Sequence, residues 1–522
     1  MTTTMSTLAL TDSSDKNAER IDPYFDLSGK RLHFVGIGGC GMSGLARLAK
    51  QAGACCTGTD REESETIDSL RQDGIDVTLE QTHYTVPEQC DLAVISAAIA
   101  SNHPEVLEAK RRGIRLVKYA QLLGQLMNQY TGIAVAGTHG KSTTTSLLAH
   151  VLIETGLDPS FIVGANCRQI GGGYRVGATR RLLVAEACEF DRSFHNLHPT
   201  HAVILNVEED HLDVYAGLEE IVESFRVFAQ KIPPSGTLLI QHENPQRTVM
   251  TAGLPCSIET IGHAPQADWQ VEIPSPCGDA DASCSRGSLA RVTLRHQGEP
   301  VASWLSPLPG EHMAYNAAAA AITAHRFGAS WDHIAVAVAS FQGLDRRMQD
   351  LGTRTIQPMV DDSTDDSWPA DSGAMAKTAI RPHVVRVVDD YGHHPTEVDT
   401  TLRALHQHYR PNRLICVFQP HQHSRTRFLL EQFAASFTQA DIVIVPHIYF
   451  VRDSEKERHA VRAADLVDRL RKQGIQAMHL YPFGAIVEQL ELIVRDGDLL
   501  VTMGAGDVWK VARDFLSHDA GR

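Results

Sequence analysis

Gly132-Ile133-Ala134-Val135-Ala136-Gly137-Thr138-His139-Gly140-Lys141-Ser142-Thr143-Thr144-Thr145 is the stretch from which the rest of the chain can be read. An apolar β-type run, Ile133 to Ala136, meets a turn holding Gly137 and Gly140. Lys141, Ser142 and Thr143 follow, then a helical apolar pattern at Leu147, Leu148, Val151 and Leu152. That is strand, phosphate loop, helix. The glycines let the backbone turn and bring N–H groups from Thr138 and His139 onward against phosphate oxygens. The helix start offers free N–H donors and a positive dipole end. Lys141 can reach terminal phosphates, and the Ser142 hydroxyl can reach a phosphate-bound Mg²⁺. The form is the short one, Gly-Thr-x-Gly-Lys-Ser, because Val135 stands where the longer pattern has glycine.

Length asks for more than one core. At 522 residues the chain is expected to form three domains. Hydrophobic residues make up 43% and charged residues 21%, ordinary for a globular protein. A net charge of −15 argues against a nucleic-acid partner, which needs a basic face. No apolar run approaches the roughly 20 residues of a membrane span, and the N-terminus has no signal-peptide core. The ten cysteines form no Cys-x-x-Cys units, so thiols in a reducing cytoplasm are expected.

Residues 1–26, polar and rich in Ser, Thr and Asp, read as a disordered leader. A strand around His33–Val35 then feeds Gly36-Ile37-Gly38-Gly39-Cys40-Gly41-Met42-Ser43, a Gly-x-Gly-x-x-Gly turn opening a helix. A second strand ends at Asp60, where the dinucleotide fingerprint keeps its ribose-binding acid. The motif reads as a diphosphate site and leaves the nucleotide open. Domains are expected at 27–129, 130–343 and 344–522. The fold class is α/β: a Rossmann-like N-terminal domain, a central P-loop ATPase-type domain on a parallel sheet, and a C-terminal Rossmann-like domain.

In the central domain two apolar runs end in acids. Leu182–Ala185 runs into Glu186, and Ala202–Val207 runs into Glu208-Glu209-Asp210-His211. Buried parallel strands look like this where their carboxyl ends open onto a site. Ser142, Glu186 and His211 are the expected Mg²⁺ ligands. Glu189, Asp191 and Asp213 read as solvated or supporting groups. The stretch 264–289 reads as a surface loop. Asn316 lies in the first turns of an Ala-rich helix, where its amide could reach a ligand. Arg346-Arg347 at the domain junction could clamp a phosphoryl group. The stretch 355–381, with Asp361-Asp362 and Asp365-Asp366, reads as a disordered acidic insert. Three further strand ends deliver Asp389-Asp390-Tyr391-Gly392-His393-His394-Pro395-Thr396-Glu397, Gln419 to Arg427, and Met503 to Asp507.

Taken in order, the pieces His33–Ala46, Gly137–Thr145, Asp389–Val398, Gln419–Arg427 and Met503–Val511 resemble the Mur ligases of peptidoglycan synthesis, from Arg31 to about Ala512. The resemblance implies that the first domain holds a UDP-sugar, at Gly36, Gly38, Gly39, Gly41, Met42, Ser43 and Asp60. It implies ATP at Gly137, Thr138, His139, Gly140, Lys141, Ser142 and Thr143, with Asn316 and Asp390. Lys141, Glu186, His211, Arg347 and His393 become the expected catalytic set, and His421 and Arg425 the amino-acid site. The implied cofactors are ATP and Mg²⁺. The implied substrates are UDP-N-acetylmuramate and L-alanine, in a cytoplasmic monomer or weak homodimer serving cell-wall synthesis, cell shape and division. Met313 and Gln422 depart from the family, which has Asn and Arg there.

The implied chemistry is ATP-driven amide formation. Phosphorylation of the lactyl carboxylate makes it electrophilic, the amine of L-alanine attacks, and phosphate leaves. His393 and His421 are candidates to take the amine proton. Closure of the third domain would exclude water. Other readings stay open: a related ligase using another amino acid or a murein peptide, an NAD-dependent oxidoreductase built on Gly36–Gly41, and a non-catalytic nucleotide-binding protein.

Overall fold

The structure is a computed structural model that describes residues 26–96, 99–273, 289–356 and 382–518. Within them lie three sheets. The first runs, in spatial order, Asp76–Thr78, Cys55–Thr59, Arg31–Val35, Leu92–Ile95 and Arg115–Lys118. All its pairings are parallel. The order reverses at Arg31–Val35, so the crevice of this sheet opens above the glycine turn that follows that strand.

The second sheet has ten strands. Its parallel centre is Thr237–Gln241, His201–Ile204, Thr131–Ala136 and Leu182–Glu186. The apolar runs seen in the sequence are buried on both faces: Ile133, Ala134, Val135 and Ala136 are each fully enclosed. Burying side chains of Val or Ile size contributes about 1.5–3 kcal/mol each. Ala317 to Ala321 on the helix Glu311–Arg326 are likewise fully buried. Their short side chains let this helix close on the helix Lys141–Glu154 that follows the phosphate loop.

The sheet also corrects a reading. Trp269–Glu272, inside the stretch read as a surface loop, is a strand. It pairs parallel to Ser257–Gly262 and antiparallel to Arg291–His296, and Glu299–Leu305 extends the edge. Trp269 and Val271 alternate inward at 7% and 1% exposure, a two-residue period hidden in a polar stretch. Residues 274–288 lie outside the described residues.

The third sheet runs Gln349–Ile356, His383–Asp390, Leu499–Met503, Leu414–Phe418, Ile442–Val445 and Gln476–His479. Only the first strand is antiparallel. Thr355 and Ile356, expected in the acidic insert, continue that edge strand. The remainder of the insert, 357–381, and the expected leader, 1–25, lie outside the described residues.

The first and second sheets share one apolar core, in which Leu122, Leu126 and Met127 meet Phe194 and Leu197. The third unit has cores on both faces of its own sheet. Met313 crosses from the second unit into one of them, 6% exposed, beside Leu402 and Ala404. At the first junction Gly124 is obligatory. A Cβ there would sit 1.8 Å from the carbonyl oxygen of Asn196. Gly124→Ala is expected to cost about 1–3 kcal/mol, as overpacking of a tight interface does, and chemical denaturation checks this.

Candidate active site

The phosphate loop closes the end of Thr131–Ala136. Gly137 has φ +139° and Gly140 φ +82°, both in the region that favours glycine. Space gives Gly140 a second reason. A Cβ would lie 2.7 Å from Oδ1 of Asn316, so the Ala-rich helix presses its amide onto the loop. The loop is stapled to the next strand end. The Thr138 amide donates to the Asn206 carbonyl (3.0 Å), the His139 amide to Asn206 Oδ1 (2.7 Å), and the Glu208 amide to the Thr138 hydroxyl (2.9 Å).

Lys141 Nζ donates to the carbonyls of Gly137 (2.6 Å) and Thr138 (3.1 Å) and stands 2.9 Å from Glu189. Burial works against its charge, and the carboxylate of Glu189 more than restores it, so the ammonium stays protonated. Glu189 is 3% exposed. Of the two expected roles, solvated or supporting, Glu189 has the supporting one. Asp191 and Arg192, at φ +50°, bend the chain after Glu189, and the buried carboxylate faces Lys141 and, at 3.6 Å, His211.

Glu186 ends its strand with Oε1 buried and unpartnered. Burial pushes its carboxyl up, opposed by a hydrogen bond from Ser142. A hydroxyl, a carboxylate with a spare buried oxygen and a nearby imidazole fit a hard divalent cation that keeps further oxygen ligands from substrate and water. Ser142 and Glu186 are in direct contact. His211, at φ +53°, joins them on the wall of the same cavity.

That cavity, about 1030 Å³, lies between the carboxyl edges of the second and third sheets. It brings together Thr138, His139, Gly140, Lys141, Ser142, Glu186 and His211 from one side with Arg347 and His393 from the other. A second cavity of about 340 Å³ adjoins it through His139, Gly140, Arg347 and Glu397, and collects Thr143, Met313, Asn316 and Asp390. Asp390 accepts amide hydrogens from Met348 and Gly392, both at 2.7 Å. Burial raises its carboxyl to about 6.

Polar contacts join the two edges. The Arg425 guanidinium donates to Asp210 at 2.9 and 3.0 Å, with both side chains buried. Burial alone would raise the Asp210 carboxyl; Arg425 overrides it and holds the group far below its usual range. The Thr396 hydroxyl donates to Glu208 (2.6 Å) and His394 Nε2 to the Glu209 carbonyl (3.1 Å). His139 lies between Glu208 (3.5 Å) and Glu397 (3.3 Å). Burial disfavours its protonation, yet the two carboxylates raise it to about 9. His393 is the opposite case. Burial lowers it to about 4, and its Nδ1 donates to the Tyr391 carbonyl (3.1 Å), leaving Nε2 as the proton acceptor.

Several expected residues line neither cavity: Gly137, His421 and Arg425, and all of Gly36, Gly38, Gly39, Gly41, Met42, Ser43 and Asp60. Arg425 is occupied by Asp210, and His421 packs behind it, 3.3 Å from its Nη1. In the glycine turn, Met42 packs into the core, the buried Ser43 hydroxyl donates to the Cys40 carbonyl at 3.0 Å, and Asp60 accepts the Gly38 amide at 2.7 Å. Asp60 thus closes the turn. Gln422, 2% exposed with φ +69°, also lines neither cavity. The residues missed are Asp210 and Glu397. Each sits within four residues of a residue that was singled out.

Comparison with known proteins bears on this arrangement. Three domain models match: "Mur ligase family, catalytic domain" over residues 31–131, "Mur ligase middle domain" over 135–324, and "Mur ligase, glutamate ligase domain" over 377–506. A UDP-N-acetylmuramate–L-alanine ligase from Caldanaerobacter subterraneus subsp. tengcongensis is 35% identical, covering 94% of this chain and 98% of its own. One from Geobacter sp. is 35% identical over 93% and 97%. Among solved structures, the UDP-N-acetylmuramate–alanine ligase of Thermotoga maritima matches with TM-score 0.69 and 22% identity, covering 93% and 98%. A murein peptide ligase from Psychrobacter arcticus matches at 0.64 and 22%, covering 94% and 98%. These last two are likenesses of fold.

Removing the charge of Asp210 strands Arg425 in the interior. Asp210→Asn is expected to lower stability by about 3–5 kcal/mol, read by chemical denaturation. A depressed carboxyl contributes stability that is present above its ordinary value of 3.8 and lost as pH falls below it. The acid limb of the stability profile is therefore expected to flatten in the variant.

Proposed function

The chain belongs to the Mur ligase family, and we propose that it joins L-alanine to the lactyl carboxylate of UDP-N-acetylmuramate, with ATP cleaved to ADP and phosphate, in peptidoglycan precursor synthesis. The observation that carries this reading is the single cavity in which a phosphate loop, Glu186 and His211 face His393 and Arg347 from another sheet. Near-full-length identity of 35% to alanine-adding relatives supports the substrate choice. An oxidoreductase reading would leave the phosphate loop and its cavity without a use.

In this reading the loop amides and Lys141 hold the triphosphate, and the adjoining cavity with Asn316 and Asp390 takes the rest of the nucleotide. Glu189 keeps Lys141 charged and seated until phosphate replaces the Gly137 and Thr138 carbonyls as its partner. Ser142, Glu186 and His211 would hold Mg²⁺, which supplies charge neutralisation on the phosphates. The UDP-sugar lies along the glycine turn and extends its carboxylate toward the γ-phosphate. Phosphoryl transfer gives an acyl phosphate, with Lys141 and Arg347 stabilising the equatorial oxygens. The alanine amine attacks, and the tetrahedral adduct expels phosphate. His393, neutral throughout the physiological range, is the proton acceptor at Nε2. The buried clasp around Asp210 and Arg425 keeps water from the acyl phosphate. We assign the reaction to the cytoplasm, where its nucleotide substrates are.

Phosphate release from ATP with Mg²⁺ tests this. Release is expected only with UDP-N-acetylmuramate and L-alanine together, and not with either alone. Release with a murein tripeptide in place of L-alanine, or none with any amine, would overturn the substrate assignment. Lys141→Ala is expected to lower kcat by at least about 100-fold, as loss of transition-state charge stabilisation does.

A further inference from the structure

Three side chains beside the phosphate loop make and break no bond in the ligase reaction derived above. His139, Glu208 and His394 bring one ligand atom each to within 4.8 Å of one another. In a tetrahedral zinc site, bonds of about 2.0–2.1 Å separate ligand atoms by about 3.4 Å, so small side-chain rotations close the group. The donor set of two imidazoles and a carboxylate suits zinc and its neighbours rather than magnesium.

The surroundings are those of imidazoles oriented to bind a cation. A ligand imidazole anchors its other nitrogen on a carboxylate or a carbonyl. His139 has Nδ1 against Glu397 at 3.3 Å, while its buried Nε2 has no hydrogen-bond partner and stands 3.5 Å from Glu208. His394 has Nε2 anchored on the Glu209 carbonyl at 3.1 Å, and its Nδ1 accepts the Thr396 amide at 3.3 Å as the N-cap of the helix Pro395–Tyr409, a long hydrogen bond that a cation on Nδ1 would replace. The two rings lie 4.8 Å apart. His139 and Glu208 also border the smaller cavity, so a fourth position is open to water or a ligand oxygen.

The geometry points to a binding site for one zinc-type divalent cation at His139, Glu208 and His394, separate from the magnesium ligands Ser142, Glu186 and His211. His139 and Glu208 belong to the second unit and His394 to the third. A cation there ties the phosphate loop to the far wall of the cleft and holds the two closed. The site stands on these three residues whichever amino acid the enzyme uses.

The test is metal binding by the full-length protein after chelator treatment, with Zn²⁺ titrated by calorimetry in millimolar Mg²⁺. One Zn²⁺ per chain is expected, with affinity falling at least about tenfold in Glu208→Gln and in His394→Gln. Circular dichroism of each variant establishes that it is folded. Co²⁺ added to the unmodified protein is expected to give the intense visible bands of a tetrahedral site, a readout that needs no variant. Zn²⁺ that Mg²⁺ displaces, affinity unchanged in both variants, or a Co²⁺ spectrum of octahedral type would overturn the assignment.

Discussion

The buried ion pair between Asp210 and Arg425 is the contact on which the shape of the active site depends. Asp210 follows a strand of the second sheet and Arg425 sits on the short helix His423–Phe428 of the third unit, and neither could stay buried without the other. Around it the carboxyl edges of two mostly parallel sheets are held face to face. The phosphate loop, Glu186 and His211 stand on one edge, and His393, Glu397 and Arg347 on the other. A ligase that makes an acyl phosphate needs a water-poor chamber with groups from two directions. Two facing sheet edges make such a chamber, whereas one edge would leave it open.

Electrostatics within the chamber are divided in a way that suits the reaction. Lys141 stays charged because Glu189 lies against it, and His139 is held protonated by two carboxylates. His393 lies only a few residues from Glu397, yet burial keeps it neutral. In the proposed reaction, positive charge is thereby kept on the side assigned to the phosphates and a free base on the side assigned to the amine. Met313, which departs from the family pattern, lies at the rim of the nucleotide cavity and is mostly packed into the third unit's core. Its side chain contributes packing between units where an amide would contribute a hydrogen bond.

Much of this was legible in the chain. The phosphate loop announces itself because strand, glycines, lysine and helix follow in fixed order, and apolar runs ending in acids mark the sheet edges. The ranking of the acids was not legible. Glu186 ends a strand, so its direction follows from the strand. Glu189 lies past the strand end and just before a bend at Asp191 and Arg192, both at φ +50°, and no periodicity tells which way it faces. Asp210 and Glu397 act across a junction between sheets, which sequence spacing does not encode. Asp60, expected to meet the sugar nucleotide, also closes the turn by accepting the Gly38 amide, a role its spacing does not reveal. The strand Trp269–Glu272 was hidden because only two of its residues face inward.

The most direct test of the acyl-phosphate account is isotopic. UDP-N-acetylmuramate carrying ¹⁸O in its lactyl carboxylate is incubated with ATP, Mg²⁺ and L-alanine, and the released phosphate is analysed by mass. Activation of the carboxylate by phosphoryl transfer predicts one ¹⁸O atom per phosphate, because the bridging oxygen leaves with phosphorus. Phosphate free of label, with the expelled ¹⁸O found in a nucleotide or in water, would contradict it.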